Sequence, residues 1–123
     1  RKIRFLLDRR CSDGGWNYGN RRVYKVDLPS FEETTALGLL ALRGAAGIDV
    51  RPSLECAQRF WAAGASPLAR AWLAIALRNH GVDLPECAPT RSLTVRPDVL
   101  VTALEALGCA EGRYWLLGPR VIA

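Results

Sequence analysis

Four cysteines, a single histidine and seventeen basic side chains are the groups in this 123-residue chain that could bind metal, move protons or hold anions. Cys11, Cys56, Cys87 and Cys109 lie far apart and form no C-x-x-C pair, the spacing that sets two thiolates on one zinc ion or one redox couple. They read as free thiols of an intracellular protein, each behaving as a small apolar side chain, with pairing of two of them left open. His80 follows Asn79 and precedes Gly81 at an expected helix end, where an imidazole can cap the last carbonyls. The basic residues are unevenly placed: residues 1 to 30 hold eight against three acidic, and the remainder holds nine of each, so the whole formal charge of +5 sits at one end. Arg1, Lys2, Arg4, Arg9, Arg10, Arg21, Arg22 and Lys25 make up that patch. No helix-turn-helix, zinc-finger or RNA-binding signature accompanies it, so nucleic acid is not the expected partner. Polyanion contact through the patch would have to weaken steeply with salt.

Half of the residues are hydrophobic, enough for a chain of this length to bury one core and about two thirds of its unfolded surface. A single domain over residues 1–123 is expected. No stretch approaches the roughly 20 consecutive apolar residues of a spanning helix, and a cytoplasmic protein without a membrane span is expected. The chain contains no methionine and opens in what reads as mid-helix, which implies a piece of a longer protein.

Helix punctuation places the candidate groups. Ser30-Phe31-Glu32-Glu33 has the serine and glutamate of a capping box, predicting a helix from there through Arg43 to a stop at Gly44, with Leu37, Leu40 and Ala41 on one face. Ser66-Pro67 pairs a cap residue with proline at the first helical position, where its missing N–H is no loss, and that helix ends near Asn79-His80-Gly81. Two more start at Pro52-Ser53 and Pro97-Asp98 and end at Gly64 and Gly108, while Ile3 to Arg10 reads as the tail of an earlier one. Five helices are expected, with no competing strand.

The helices repeat. Ala36-Leu37-Gly38-Leu39-Leu40-Ala41-Leu42-Arg43 matches Ala71-Trp72-Leu73-Ala74-Ile75-Ala76-Leu77-Arg78, and Val50-Arg51-Pro52-Ser53-Leu54 returns forty-five residues later as Val95-Arg96-Pro97-Asp98-Val99. Such a spacing fits several α-solenoids as well as a closed α/α barrel.

The most specific stretch is residues 4 to 20, from Arg4-Phe5-Leu6 through Asp13-Gly14-Gly15-Trp16 to Asn20. It resembles the glutamine–tryptophan motif of the squalene–hopene cyclase and protein prenyltransferase superfamily, the terpenoid cyclase-like α/α toroids. Phe5, Leu6, Gly14 and Trp16 fall at the family spacing, and Glu33 to Leu42 looks like the helix that follows. Arg10 departs from the family, standing where glutamine is usual and offering donors without a carbonyl acceptor. Glu111-Gly112-Arg113-Tyr114-Trp115 is a degenerate echo of the turn. The resemblance implies an all-α fold of helical hairpin repeats, here part of an α/α toroid. The two glycines would let the chain reverse where a Cβ would clash. Trp16 would then bury its ring between hairpins while its indole N–H finds a backbone partner. Phe5, Leu6, Arg10, Asp13, Gly14, Gly15 and Trp16 are thus structural on this reading.

The resemblance also says what chemistry to look for. Cyclases of this type protonate an alkene from an Asp-x-Asp-Asp cluster whose carboxyls shift one another's pKa, and no such cluster occurs here. The aspartate-rich helices that hold magnesium diphosphate in the other cyclase class are also missing. Prenyltransferases bind zinc through aspartate, cysteine and a distant histidine. Here Cys11 and Asp13 come in reverse order with only His80 to complete them, so no metal and no cofactor are expected. Cyclases line their cavities with rings that steady carbocations by cation–π attraction, which makes Trp16, Tyr18, Trp61 and Trp72 the candidate ligand contacts, with Phe60 beside Trp61. Glu32, Glu33 and Asp98 are the remaining acid–base candidates. The leading expectation is a toroid segment that binds an isoprenoid or other apolar ligand, enzymatic only in the cyclase or prenyltransferase sense. The alternative is a non-catalytic helical-repeat scaffold for another protein. Five helices leave hairpin edges open, so the rest of the parent chain, or self-association, should cover them.

Overall fold

Proline at the start and glycine just past the end set the limits of two of the helices. The computed structural model describes residues 1–85 and 98–109. Among these, five helices run in order: α1 (Lys2–Asp8), α2 (Glu32–Ala41), α3 (Arg51–Ala62), α4 (Pro67–Asn79) and α5 (Val99–Cys109). Ser66 caps α4 as its sequence requires, its Oγ accepting from the Ala69 N–H at 3.3 Å. The helix closes through His80, and beyond it the Val82 N–H bonds to the Leu77 carbonyl across Gly81, whose φ of 81° suits a residue without Cβ. Asp98 Oδ1 accepts from the N–H groups of Leu100 and Val101 and so caps α5.

Helix α4 is apolar nearly all round, and its surroundings explain why. It packs against α2, α3 and α5, and Ala69, Ala71, Leu73, Ala74, Ile75, Ala76 and Leu77 are all buried. The alanines let neighbouring helices come close, and Leu73 and Leu77 interlock with Leu39 and Leu42 of α2 and Ala57 of α3. Full burial of each such leucine stabilises the fold by about 1.5–3 kcal/mol. A smaller cluster, Ala71, Ile75 and Leu104, joins α4 to α5. In contrast α3 is amphipathic, burying Ser53, Cys56 and Ala57 while Arg51, Glu55, Gln58 and Arg59 face water.

Three expectations are corrected. Ser30 does not cap α2: the N-cap residue is Phe31, without a side-chain bond, and the Ser30 hydroxyl is drawn instead to Asp13. The core face of α2 is Thr35, Ala36, Leu39 and Leu42, whereas Leu37 and Ala41 are exposed. The chain also makes a small hairpin, β1 (Arg22–Val23) and β2 (Val26–Asp27), antiparallel with Arg22 opposite Asp27 and Val23 opposite Val26. Its two turn residues, Tyr24 and Lys25, have φ of 48° and 65°. Hairpins favour this left-handed turn because it matches their twist, but with Asn-Gly in it. Side chains with a Cβ there cost about 1–2 kcal/mol per residue, so nothing in Tyr-Lys announced a turn. The Glu111–Trp115 echo, Cys87 and the Val95–Pro97 part of the repeat lie outside the described residues.

Candidate functional site

The segment from Cys11 to Trp16 is a tight reversal tied to every element around it. Inside the turn, the Gly14 N–H donates to the Cys11 carbonyl at 3.0 Å and the Cys11 N–H to the Gly15 carbonyl at 2.8 Å. Gly14 has φ of 94°, and a Cβ on it would overlap the backbone of Pro52 at the start of α3. A Cβ on Gly15 would overlap the hydroxyls of Ser30 and Thr35. Gly14 is therefore required by contact and by conformation, and Gly15 by contact. Ser53 Oγ donates to the Gly14 carbonyl at 2.7 Å and Arg59 Nη2 to the Asp13 carbonyl at 2.8 Å, which fastens the reversal to α3. Arg10 donates from Nη1 to the Asp49 carbonyl at 3.0 Å just before that helix.

Asp13 organises the turn with its carboxylate. Oδ2 accepts from both the N–H and the Oγ of Ser30, at 3.1 and 2.8 Å, and Oδ1 accepts from the Gly15 N–H at 3.1 Å. Burial by itself would raise this carboxyl, but the Ser30 and Gly15 bonds, helped by the Arg59 charge, outweigh it and hold Asp13 below its usual value of 3.8. Through these bonds the Asp13 carboxylate ties the turn to Ser30. Two buried thiols flank it. Cys56 Sγ lies 3.4 Å from Ser30 Oγ. Burial first, then the Asp13 charge, pushes the Cys11 thiol up, and burial does the same at Cys56. Both are free, and neither is set up as a nucleophile.

Trp16 is 3% exposed and acts as the staple. Its Nε1–H donates to the Leu6 carbonyl of α1 at 2.8 Å, and its ring lies on Gly38 of α2 so closely that a Cβ there would overlap it. Its backbone is held as firmly. The Trp16 N–H donates to Thr35 Oγ1 at 3.1 Å, while Thr34 Oγ1 and the Phe31 N–H donate to its carbonyl at 2.6 and 2.9 Å. One side chain thus joins α1 to α2 through its indole edge, its face and its backbone.

Beside the staple, α1, the 17–19 loop and α2 border an open cleft of about 420 Å³. Phe5, Leu6, Trp16, Leu37, Gly38 and Ala41 form apolar walls, and Arg9, Asn17, Tyr18 and Thr34 also line it. The Arg9 guanidinium lies 5.0 Å from the Phe5 ring centroid and bonds to Asn20 Oδ1. Tyr18 is exposed, with its ring 5.5 Å from that of Phe31.

The structure therefore brings Phe5, Leu6, Trp16 and Tyr18 to one cleft and keeps Trp61 and Trp72 apart from it. Trp61 lies under the Arg70 guanidinium at 4.1 Å, and Trp72 packs against both core clusters. His80 Nε2 lies 2.7 Å from the Leu39 carbonyl. A carbonyl only accepts, so Nε2 carries the proton, and the ring ties α4 to α2. Among the described residues no three His, Cys, Asp or Glu side chains come together as a metal site. Glu32 and Glu33 occupy the first turn of α2, where their charge suits the helix dipole. Sequence reasoning missed Leu37, Gly38 and Ala41 as cleft walls. Gly38 carried the available signal, since glycine inside a helix marks a close approach.

No helix among the described residues is long and apolar enough to cross a membrane. Comparison with known protein families, curated proteins and solved structures finds no match.

Proposed function

We propose that this chain is a segment of an α/α toroid of the terpenoid cyclase and protein prenyltransferase kind, and that it binds an isoprenoid or similarly apolar ligand without catalysing a reaction itself. The observation that carries the reading is the cleft beside Trp16. Its volume falls within the roughly 300–1,000 Å³ of small-molecule sites, and such sites combine apolar walls with a few placed polar groups. Arg9 and Asn17 supply the polar groups here, and a prenyl chain has nothing to ask of the walls but burial. The turn supports the family part of the reading, since Gly14, Gly15 and Trp16 do the work that the resemblance implies for them. A binding role without catalysis is supported by the sequence, which has no Asp-x-Asp-Asp cluster and no aspartate-rich helix.

The experiment is a titration with farnesol and with farnesyl diphosphate, followed by native mass spectrometry. Retained ligand that is lost in Leu37→Asp, with helical circular dichroism unchanged, supports the reading. The second reading, a scaffold for another protein, is favoured by the exposure of Phe5 and Leu37 along the α1–α2 edge, where a further hairpin could pack. A chain that stays free of ligand in the titration, yet captures a protein partner through that edge, would replace the first reading with the second.

A further inference from the structure

The segment that holds the whole excess of positive charge also holds most of the exposed apolar surface. Six of the eleven exposed large hydrophobic side chains among the described residues lie between Ile3 and Val26. The hairpin concentrates both properties. Val23 and Val26 are directly paired across the strands, so they share one face of the ribbon, while Arg22 and Asp27 pair on the other with a 3.4 Å ion pair. The valine face is partly open, with Val23 39% and Val26 61% exposed, and Tyr24 at the tip is 96% exposed. Lys25 shares that tip with Tyr24, and Arg21 stands at the open end of the ribbon, its carbonyl accepting from the Leu28 N–H at 2.8 Å. Tyr24 also occupies a left-handed turn position that asparagine or glycine would fill without strain. A large side chain kept at such a point, with no contact inside the protein to explain it, has its use outside.

We propose that the hairpin at residues 22–27 docks the protein on an anionic membrane surface, with Val23, Tyr24 and Val26 entering the headgroup layer and Arg21 and Lys25 meeting lipid phosphate. Tyrosine is at home in that layer, its ring on the apolar side and its hydroxyl in water. Basic residues near an anionic leaflet add attraction that falls off within a Debye length. A nucleic acid would use the cations but gains little from two exposed valines. A ribbon of two residues per strand is too small for a stable protein interface, which needs about 1,000 Å² or more. Arg9, bonded to Asn20, joins the hairpin's loop to α1, whose Lys2 and Arg4 are exposed and extend the basic surface.

The test is co-sedimentation of the whole chain with phosphatidylcholine vesicles, alone or mixed with phosphatidylserine, over a range of salt. Binding to the mixed vesicles, weak binding to the neutral ones and a decline with salt are expected. The Tyr24→Ser/Val26→Ser variant should bind on the order of tenfold more weakly. Arg21→Gln/Lys25→Gln should lose roughly 30-fold, at about 1 kcal/mol per cation. The hairpin lies outside the core, and unchanged helical circular dichroism certifies each variant as folded. Tyr24→Trp gives an independent reading, since its indole fluorescence should shift to the blue when mixed vesicles are added. Equal binding to both kinds of vesicle, wild-type binding by both double variants, or displacement of the protein from vesicles by poly(U) would overturn the proposal.

Discussion

The indole of Trp16 rests directly on Gly38 of α2, with no room between them for a methyl group. Two effects of Gly38→Ala therefore oppose each other. Alanine favours an exposed helix over glycine by about 1 kcal/mol, but overpacking a filled site costs about 1–3 kcal/mol. Trp16 is buried and held at its indole, backbone N–H and carbonyl, so it cannot swing away and the steric cost wins. Gly38→Ala should lower stability by about 1 kcal/mol or more, read as a lower urea midpoint with an unchanged slope.

The staple itself can be divided by substitution. Trp16→Ala removes the ring from between α1 and α2 and should cost about 3–5 kcal/mol, a large share of the stability of a chain this size. Trp16→Phe keeps much of the packing but removes the indole donor, leaving the Leu6 carbonyl only the Arg9 N–H, so a smaller loss of about 1 kcal/mol is expected. Thermal unfolding of the two variants beside the wild type checks the order.

Asp13 makes the turn sensitive to acid. Its folded pKa lies below the unfolded value, so its contribution is fully present above the unfolded value near 3.8 and is lost as pH falls through the folded one. Wild-type stability should therefore drop below about pH 4. Asp13→Asn should be less stable at neutral pH, lacking the charge-assisted bonds from Ser30 and Gly15. It should also lose less on acidification, so that urea midpoints of the two proteins converge as pH is lowered. Parallel curves would assign the acid response to other carboxylates.

Cys11 and Cys56 should be slow to alkylate in the folded protein, because burial keeps each thiol both protonated and inaccessible. Pulse alkylation followed by peptide mass spectrometry should leave both unlabelled in buffer and label both in guanidinium. Labelling of Cys56 without denaturant would mean that the Ser30–Cys56 contact opens readily.

Helix identity was legible wherever a local signal carried it. Ser66-Pro67 had its cap geometry written in two adjacent residues, and α4, α3 and α5 begin within a residue or two of where proline or aspartate placed them. The turn at Gly14-Gly15-Trp16 was legible in its residue types, since paired glycines permit a tight reversal and a buried indole N–H needs a partner, here the Leu6 carbonyl. Ser30 misled because Asp13, seventeen residues earlier, outbids the helix N-terminus for its hydroxyl, and no local rule sees such a competitor. Leu37 and Ala41 misled because periodicity finds an apolar face without saying which neighbour meets it; here Ala36 and Leu39 take the core, and Leu37 is left to the cleft. The hairpin was hidden because Tyr24 and Lys25 adopt a turn that their types disfavour.

The most direct test of the account is the indole N–H resonance of Trp16, followed by ¹⁵N NMR as farnesol is added. Trp16 both staples α1 to α2 and forms a wall of the cleft, whereas Trp61 and Trp72 lie elsewhere in the fold. The account predicts that the Trp16 signal moves in a saturable way while those of Trp61 and Trp72 stay where they are. A Trp16 signal unmoved by ligand, or shifts confined to Trp61 and Trp72, would contradict it.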